Sequence, residues 1–420
     1  MGIAIVAALS LVGCADDGGN RRFANDPRPT PALSEPTIVV TRPPESIPPT
    51  AAPTKAVEEL LRPRGEPTRF YFSAGNELWL VDLENSRTER IWQAATKNEL
   101  IAFSPSPSAA QVAVLAQDRT TPERADVYVL NASGKPVEVF TNIAPSNDPD
   151  LPENAVATWI DWSPQGDQLL IGFEPGGVKA IPIEKHASYA VANAAMAMPR
   201  DAAWSPTGEQ VAMITEGKNG PTLKVVTVPK CCKRGTPIAA PVRVEDLGLA
   251  ESFAWMPDGR RLLVTRFPDS AGPDARLELW EVGIGTERRR LVLSAGSTVP
   301  AGSIDQFSLA ADGRALAYTV TTDVGGQPQF DSLWVTDFAG APPFRVPLPA
   351  GAVVTNLWWT SRGLVAQVVM LPESGMTSGA VPFSLLLIED QKVPASLVDG
   401  TMPYEVRPTS TPAPTPTPLG

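Results

Sequence analysis

The chain has 420 residues, with 35 Lys plus Arg against 46 Asp plus Glu, a formal charge of −11, 45 prolines, three cysteines and a single histidine. A net negative chain without a long basic run is poorly suited to neutralising nucleic-acid phosphates or an anionic membrane surface. One histidine limits histidine-based metal sites and multi-histidine catalysis, leaving a single Ser/His/Asp triad or a carboxylate mechanism open.

Proline placement separates ends from body. Eleven prolines fall within residues 1–68 and six within 403–420, and the 28 that lie in 69–402 are more than a helical domain tolerates. Proline breaks helix interiors but suits turns and strand ends, so the body reads as all-β.

Residues 3–13, IAIVAALSLVG, form an apolar run too short for an ordinary membrane span but of the length of a secretory core segment. Leu11-Val12-Gly13-Cys14 resembles the bacterial lipobox. That resemblance implies a signal peptide over 1–13, lipidation of Cys14, and a body held at the extracytoplasmic face of the cell membrane. The usual basic residues ahead of the run are missing, which a start codon further upstream would explain. The plainer alternative is a buried N-terminal strand or helix with an incidental cysteine. Residues 14–55 are rich in Pro, Thr and Ser and poor in large apolar side chains, the composition of a disordered tether. Fully extended, it would reach on the order of 100 Å. Residues 407–420 read as a second disordered tail.

Between the two lies a repeat. An aromatic residue, Ser-Pro or a variant, a turn and an apolar strand recur six times. The copies begin at Phe103-Ser104-Pro105, Trp162-Ser163-Pro164, Trp204-Ser205-Pro206, Trp255-Met256-Pro257, Phe307 (ahead of Ala311-Asp312-Gly313) and Trp359-Thr360-Ser361. From Gly166 the turn glycines follow at Gly208, Gly259, Gly313 and Gly363, at intervals of 42, 51, 54 and 50 residues. A period of about 40–50 residues with several short strands is that of a propeller blade. Gly in the turn takes the positive φ that reverses the chain, and the aromatic fills the wedge between neighbouring sheets. Tyr71 and Trp79 mark a seventh hairpin ahead of the first phrase. The expectation is a seven-bladed β-propeller of four-stranded antiparallel blades over 56–406, with six or eight blades as alternatives. Blade one lacks an inner strand before Phe70. Residues 395–406 are the favoured source of one, because VEELL at 57–61 reads as a short helix.

The phrase WSPxG, followed by a strand and then by Leu-Trp-Val, is similar to the WD-repeat-like propeller of the TolB family, also seen in the propeller halves of dipeptidyl-peptidase enzymes. The resemblance implies the fold and not the function. Only Asp258-Gly259 and Asp312-Gly313 keep the family's Asp-Gly turn, Ser106–Ala110 replaces it with a longer glycine-free loop, and TolB's amino-terminal domain has no counterpart.

No catalytic set stands out. A dipeptidyl-peptidase activity would need a hydrolase domain with a nucleophile elbow, for which the sequence shows no room. His186 reads as an exposed loop residue. Cys231-Cys232, between Lys and Lys-Arg, reads as a vicinal disulfide or an inert pair, with a redox or dimer-forming role as the alternative. Four residues before each phrase aromatic stand Glu99, Thr158, Arg200, Glu251, Ser303 and Thr355, all polar. Such a register would ring the channel mouth and face a bound ligand or peptide, unless it reflects only the wetness of any channel mouth. The functional expectation is a non-catalytic, lipid-anchored scaffold binding an envelope protein, peptide or ligand, without metal, cofactor or nucleic acid. The alternative is a propeller hydrolase or lyase acting on sugars or lactones through Glu99 and Glu251.

Overall fold

The computed structural model describes residues 59–144, 151–184, 188–192, 199–217, 220–228, 244–267, 277–286, 288–293, 303–324, 327–338, 342–349, 351–370, 378–389 and 394–405. Cys14, His186, Cys231 and Cys232 lie outside them, as do 1–58 and 406–420.

Among the described residues twenty-seven strands form seven antiparallel sheets, each running outward from its first strand in chain order. Blades 2 to 7 have four strands and begin with Asn98–Pro105, Val156–Trp162, Pro199–Trp204, Ser252–Trp255, Ser303–Leu309 and Ala352–Thr360. First strands of neighbouring blades touch one another, so they are the inner strands around a common axis. This is a seven-bladed β-propeller.

The phrase builds the blade in two ways. Its turn joins the first strand to the second, with Gly166, Gly208, Gly259 and Gly313 at φ of 72°, 71°, 63° and 69°. Each glycine amide donates to the carbonyl three residues back, at 2.8–2.9 Å. Its tryptophan then packs between sheets: Trp162 joins Ala113 and Leu115 of blade 2, Trp204 joins Leu170 and Ala180 of blade 3, and Trp359 joins Leu333 and Val335 of blade 6. A second aromatic stripe runs along the third strands. There the residue two places earlier accepts the aromatic's polar hydrogen, as in Trp79 Nε1 to Glu77 (3.2 Å) and Trp280 Nε1 to Glu278 (3.1 Å).

Blade 2 corrects the reading of the repeat. Ser106 occupies the place of Ser163 and Ser205, since each pairs its amide with the carbonyl five residues on. Ala109 takes the glycine position at φ 53°, and its amide donates to the Ser106 carbonyl at 2.8 Å. The loop is therefore the same turn as elsewhere, not a longer one, and the true Ser-Pro is Ser106-Pro107. Pro105 stands opposite Val112 as Trp162 stands opposite Leu169, and Leu309 takes the corresponding place opposite Leu316 in blade 6. Phe103 and Phe307 thus lie two residues ahead of the tryptophan register.

Blade 1 has three strands among the described residues: Arg69–Ala74, Glu77–Asp82 and Arg87–Gln93. They match the second, third and fourth strands of other blades. The C-terminal strand Ala395–Glu405 does not complete it, contrary to expectation. It pairs with Ser378–Ile388 as the outer strand of blade 7, in register from Leu387↔Ala395 to Ser378↔Glu405. A short connection makes that local pairing cheaper in loop entropy than a return to the first blade. The junction of blades 7 and 1 is held by aromatic packing instead: Phe70 on Trp358 (5.5 Å between centroids), and Phe72 on Phe383 (5.9 Å) and on Trp79 (6.2 Å).

The approach to blade 1 runs across blades 6 and 7. Glu59–Leu61 form one helical turn, in keeping with the sequence reading of this stretch. Leu61 is fully buried among Ala310, Leu333, Val335, Trp359 and Leu364. Arg64 N donates to Asp312 Oδ2 at 3.2 Å, Ala311 N donates to Glu66, and Ser361 N donates to Pro67 O at 3.0 Å. Burial holds the Glu66 carboxyl above its ordinary range.

Blades 1 and 2 are keyed together by Gly134, at φ +77° in the turn between the last two strands of blade 2. A β-carbon there would collide with the Ile91 carbonyl. Gly134→Ala should therefore destabilise the protein by about 1–3 kcal/mol, read from urea denaturation, since neither the φ nor the opposing backbone can yield cheaply.

Candidate functional site on the inner strands

Inner strands of this propeller are kinked at one repeated position. The ladder slips around Ile101, Thr158, Arg200 and Thr355, and in blade 6 between Ile304 and Phe307. In blade 5 the amide of Glu251 donates to the Thr265 carbonyl while Ser252 already faces Thr265. The position four residues before the tryptophan register is thus the bulge residue, where extra twist re-aims a side chain. Thr158, Arg200, Glu251 and Thr355 share it. Glu99 and Ser303 do not: they pair with Gln117 and Thr321 and stand two residues before the bulge position, because Phe103 and Phe307 themselves lie two residues before the tryptophan register.

Two of the bulge residues are occupied within their own blades. Thr158 Oγ1 donates to Gly172 O at 3.5 Å and Thr355 Oγ1 to Gln367 O at 3.4 Å, the carbonyls of the adjacent strand. Ser303 accepts the Leu277 amide at 3.0 Å. Glu99 and Glu251 are half-buried, and the Arg200 side chain lies outside the described residues.

The residue just before the tryptophan register joins one blade to the next. Ser104 Oγ accepts the amide of Trp162 at 3.2 Å, and one blade later Asp161 Oδ2 accepts the amide of Trp204 at 3.4 Å. Ser104 Oγ also donates to Asp161 Oδ1 at 3.3 Å, so blades 2, 3 and 4 are tied through one carboxylate. Elsewhere the carbonyl of this register does the work: Trp255 Nε1 donates to Ala203 O at 3.1 Å and Trp359 Nε1 to Ser308 O at 3.0 Å.

Asp201, on the inner strand of blade 4, stands near enough to Asp161 for the two charges to repel. Desolvation pushes the Asp161 carboxyl up to about 6, against hydrogen bonds from Trp204, Ser104 and Trp162 that favour its ionised form. Desolvation and the Asp161 charge push Asp201 up to about 7. Both carboxyls are half-buried and the charge of Asp161 opposes ionisation of Asp201, so their titration belongs to the pair. Sequence reading missed both. The available signal was a carboxylate inside an inner strand, Asp161 between Ile160 and Trp162 and Asp201 ahead of Ala-Ala-Trp.

No group of three or more metal-ligating side chains occurs among the described residues, and no helix among them is long and apolar enough to cross a membrane. An open cavity of about 470 Å³ lies beside blades 1 and 2, lined by Arg69, Asp82, Arg87, Glu89 and Ser133. Its charges are internally matched, with Arg69 Nε on Asp82 at 2.7 Å and Arg87 on Glu89. The hydrogen bonds from Asn85, with the Arg69 contact, hold Asp82 down at about 2.

The fold defines the class, a seven-bladed β-propeller. Among solved structures, a prolyl endopeptidase is similar with a TM-score of 0.53 and 14% identity, over 83% of this chain and 51% of that one, so the chain spans about half that enzyme's length. A TolB structure from Agrobacterium tumefaciens aligns with a TM-score of 0.43 and 13% identity, over 78% of this chain and 90% of that one. The Cps50 (Swd1) β-propeller domain of Myceliophteria thermophila gives 0.44 and 13%, over 71% and 95%. At these identities the likeness is one of fold. No protein-family model matches the chain, and no curated protein matches its sequence.

Proposed function

We propose that this chain is a lipid-anchored, extracytoplasmic propeller that binds an envelope protein, peptide or ligand without transforming it. The observation that carries the reading is the order of parts in the sequence: Leu11-Val12-Gly13-Cys14, a Pro-rich spacer over 14–55, and then the propeller. An anchor and spacer of this kind place a binding ring away from a membrane surface. Thr158, Thr355 and Ser303 spend their side chains on internal hydrogen bonds and are not the contacts this reading relies on. Cys14→Ser should abolish incorporation of labelled palmitate and move the protein from the membrane to the soluble fraction of its native host. Unchanged labelling and fractionation would defeat the anchor.

A second reading is favoured by one observation. Two inner-strand carboxyls with raised pKa values are the kind of pair that performs acid–base chemistry. On that reading the propeller is a hydrolase or lyase of sugars or lactones, with Asp161 and Asp201 joining Glu99 and Glu251 as candidates. Turnover of a sugar or lactone panel that disappears in Asp201→Asn would favour it over the scaffold.

A further inference from the structure

We propose that residues 37–41, Thr-Ile-Val-Val-Thr, which lie ahead of the described residues, supply the inner strand of blade 1 by pairing antiparallel with Arg69–Ala74 of the same chain. The first argument is an edge without a partner. Blades 2 to 7 each carry an inner strand, whereas Arg69–Ala74 pairs only with Glu77–Asp82 among the described residues. The Leu83 amide donates to the Thr68 carbonyl at 2.9 Å, so the even-numbered residues along this strand turn their main chain toward Glu77–Asp82. Alternation sends the N–H and C=O groups of Arg69, Tyr71 and Ser73 to the axial side, where no described main-chain group meets them. Tyr71 is only 1% exposed. An edge so enclosed calls for a strand, because buried main-chain groups are paired in more than about nine cases in ten.

Composition and direction select the occupant. Ahead of the described residues two stretches are apolar enough for an inner strand, 3–13 and 37–41. The first is removed with the signal peptide on the anchored reading, and the choice between them rests on that reading. The second is an unbroken run of β-branched residues, the type that fits an enclosed, pleated strand. Arg42-Pro43-Pro44 ends it, much as Pro164, Pro206 and Pro257 follow other inner strands.

Those inner strands run into the phrase turns, and the second strands return from them. A strand at 37–41 in the same sense ends on the turn face. The described chain begins on that face too: Leu61 packs against Ala310 and Leu364, which flank the turns of blades 6 and 7, and Arg64 and Pro67 are hydrogen-bonded to those turns. The 17 residues from 42 to 58 reach on the order of 50 Å when extended, against about 10 Å between stacked sheets. The spacer between Cys14 and the ring then shortens to 15–36.

Hydrogen exchange of the full chain, as made by its native host, tests this. Amides of 37–41 should exchange about 100-fold or more below their intrinsic rates, as in a paired strand, while 22–34 and 44–54 exchange freely. Ile38→Pro and Val40→Pro together should abolish that protection and speed exchange at 69–74 about tenfold or more, with 199–204 unchanged. Should the double replacement unfold the ring, the wild-type rates at 37–41 decide alone. Free exchange at 37–41 in the wild type overturns the assignment, and so does protection at 69–74 that survives the double replacement in a folded ring. Protection at 37–41 found only in a dimer would show a strand exchanged between two copies and would overturn pairing within one chain. Protection at 3–9 in place of 37–41 would overturn the anchor as well, since those residues lie ahead of the cleavage site. Free exchange at 37–41 with Cys14 still labelled by palmitate leaves the anchor standing.

Discussion

Phe72→Ala should destabilise the propeller by about 3–5 kcal/mol, among the largest losses any single side chain here can produce. Phe72 is 1% exposed and sits where the first blade meets the last. At every other junction the later blade brings an inner strand, and in most cases its aromatic fills the wedge. Here the described residues place no inner strand in blade 1, and Ala395–Glu405 is committed to the far side of blade 7. Phe70, Phe72, Trp358 and Phe383 fill the wedge in its place. Trp358 occupies the register that holds Ser104, Asp161, Ala203, Ala254 and Ser308 in the other blades, and a far larger side chain is used only at this junction. Removing the phenyl ring leaves a cavity that sheets fixed on both sides by hydrogen bonds cannot collapse to fill. Urea denaturation followed by tryptophan fluorescence would measure the loss. A change below about 1 kcal/mol would mean that closure does not depend on the aromatic cluster.

Much of this architecture was legible because a blade is a local object. The turn, the two strands on either side of it and the tryptophan lie within some twenty residues, so periodicity and glycine placement reveal them directly. The slip in blade 2 has an equally local cause. The sequence Phe103-Ser104-Pro105-Ser106-Pro107 offers Ser-Pro twice, and only the hydrogen bond from Ala109 to Ser106 shows which copy turns the chain. Because Ala109 adopts a positive φ without being glycine, the usual signal was absent. That slip moved Glu99 into a register it does not hold, and the same misreading from Phe307 moved Ser303. Asp161 and Asp201 were illegible for a different reason. Their significance arises between blades, from a contact that neither repeat records. Closure failed in the same way, since the choice between pairing Ala395–Glu405 with blade 7 or with blade 1 depends on loop entropy and edge availability, not on the strand's own pattern.

Leu61→Ala should cost about 2–5 kcal/mol and should loosen one sector of the ring more than the rest. The residue precedes the first blade in sequence, yet it is wholly buried in the core between blades 6 and 7, against Leu333, Val335, Phe344 and Leu364. The chain after it is fastened by hydrogen bonds to the turns of both blades, Arg64 N donating to the Asp312 carboxylate and Ser361 N to the Pro67 carbonyl. This strap therefore joins the beginning of the fold to its end, next to the junction where the described residues place no inner strand. Strap and aromatic wedge act on the same opening motion, one across blades 6 and 7 and the other between blades 7 and 1. Their losses should fall short of additivity when Leu61→Ala and Phe72→Ala are combined, because the first change already weakens the contacts that the second would release. Hydrogen exchange should show faster opening of 309–316 and 359–366 in Leu61→Ala, with 156–174 unchanged. Uniform acceleration around the ring would instead show that the strap contributes only to global stability, and strict additivity with Phe72→Ala would show that strap and wedge restrain separate motions.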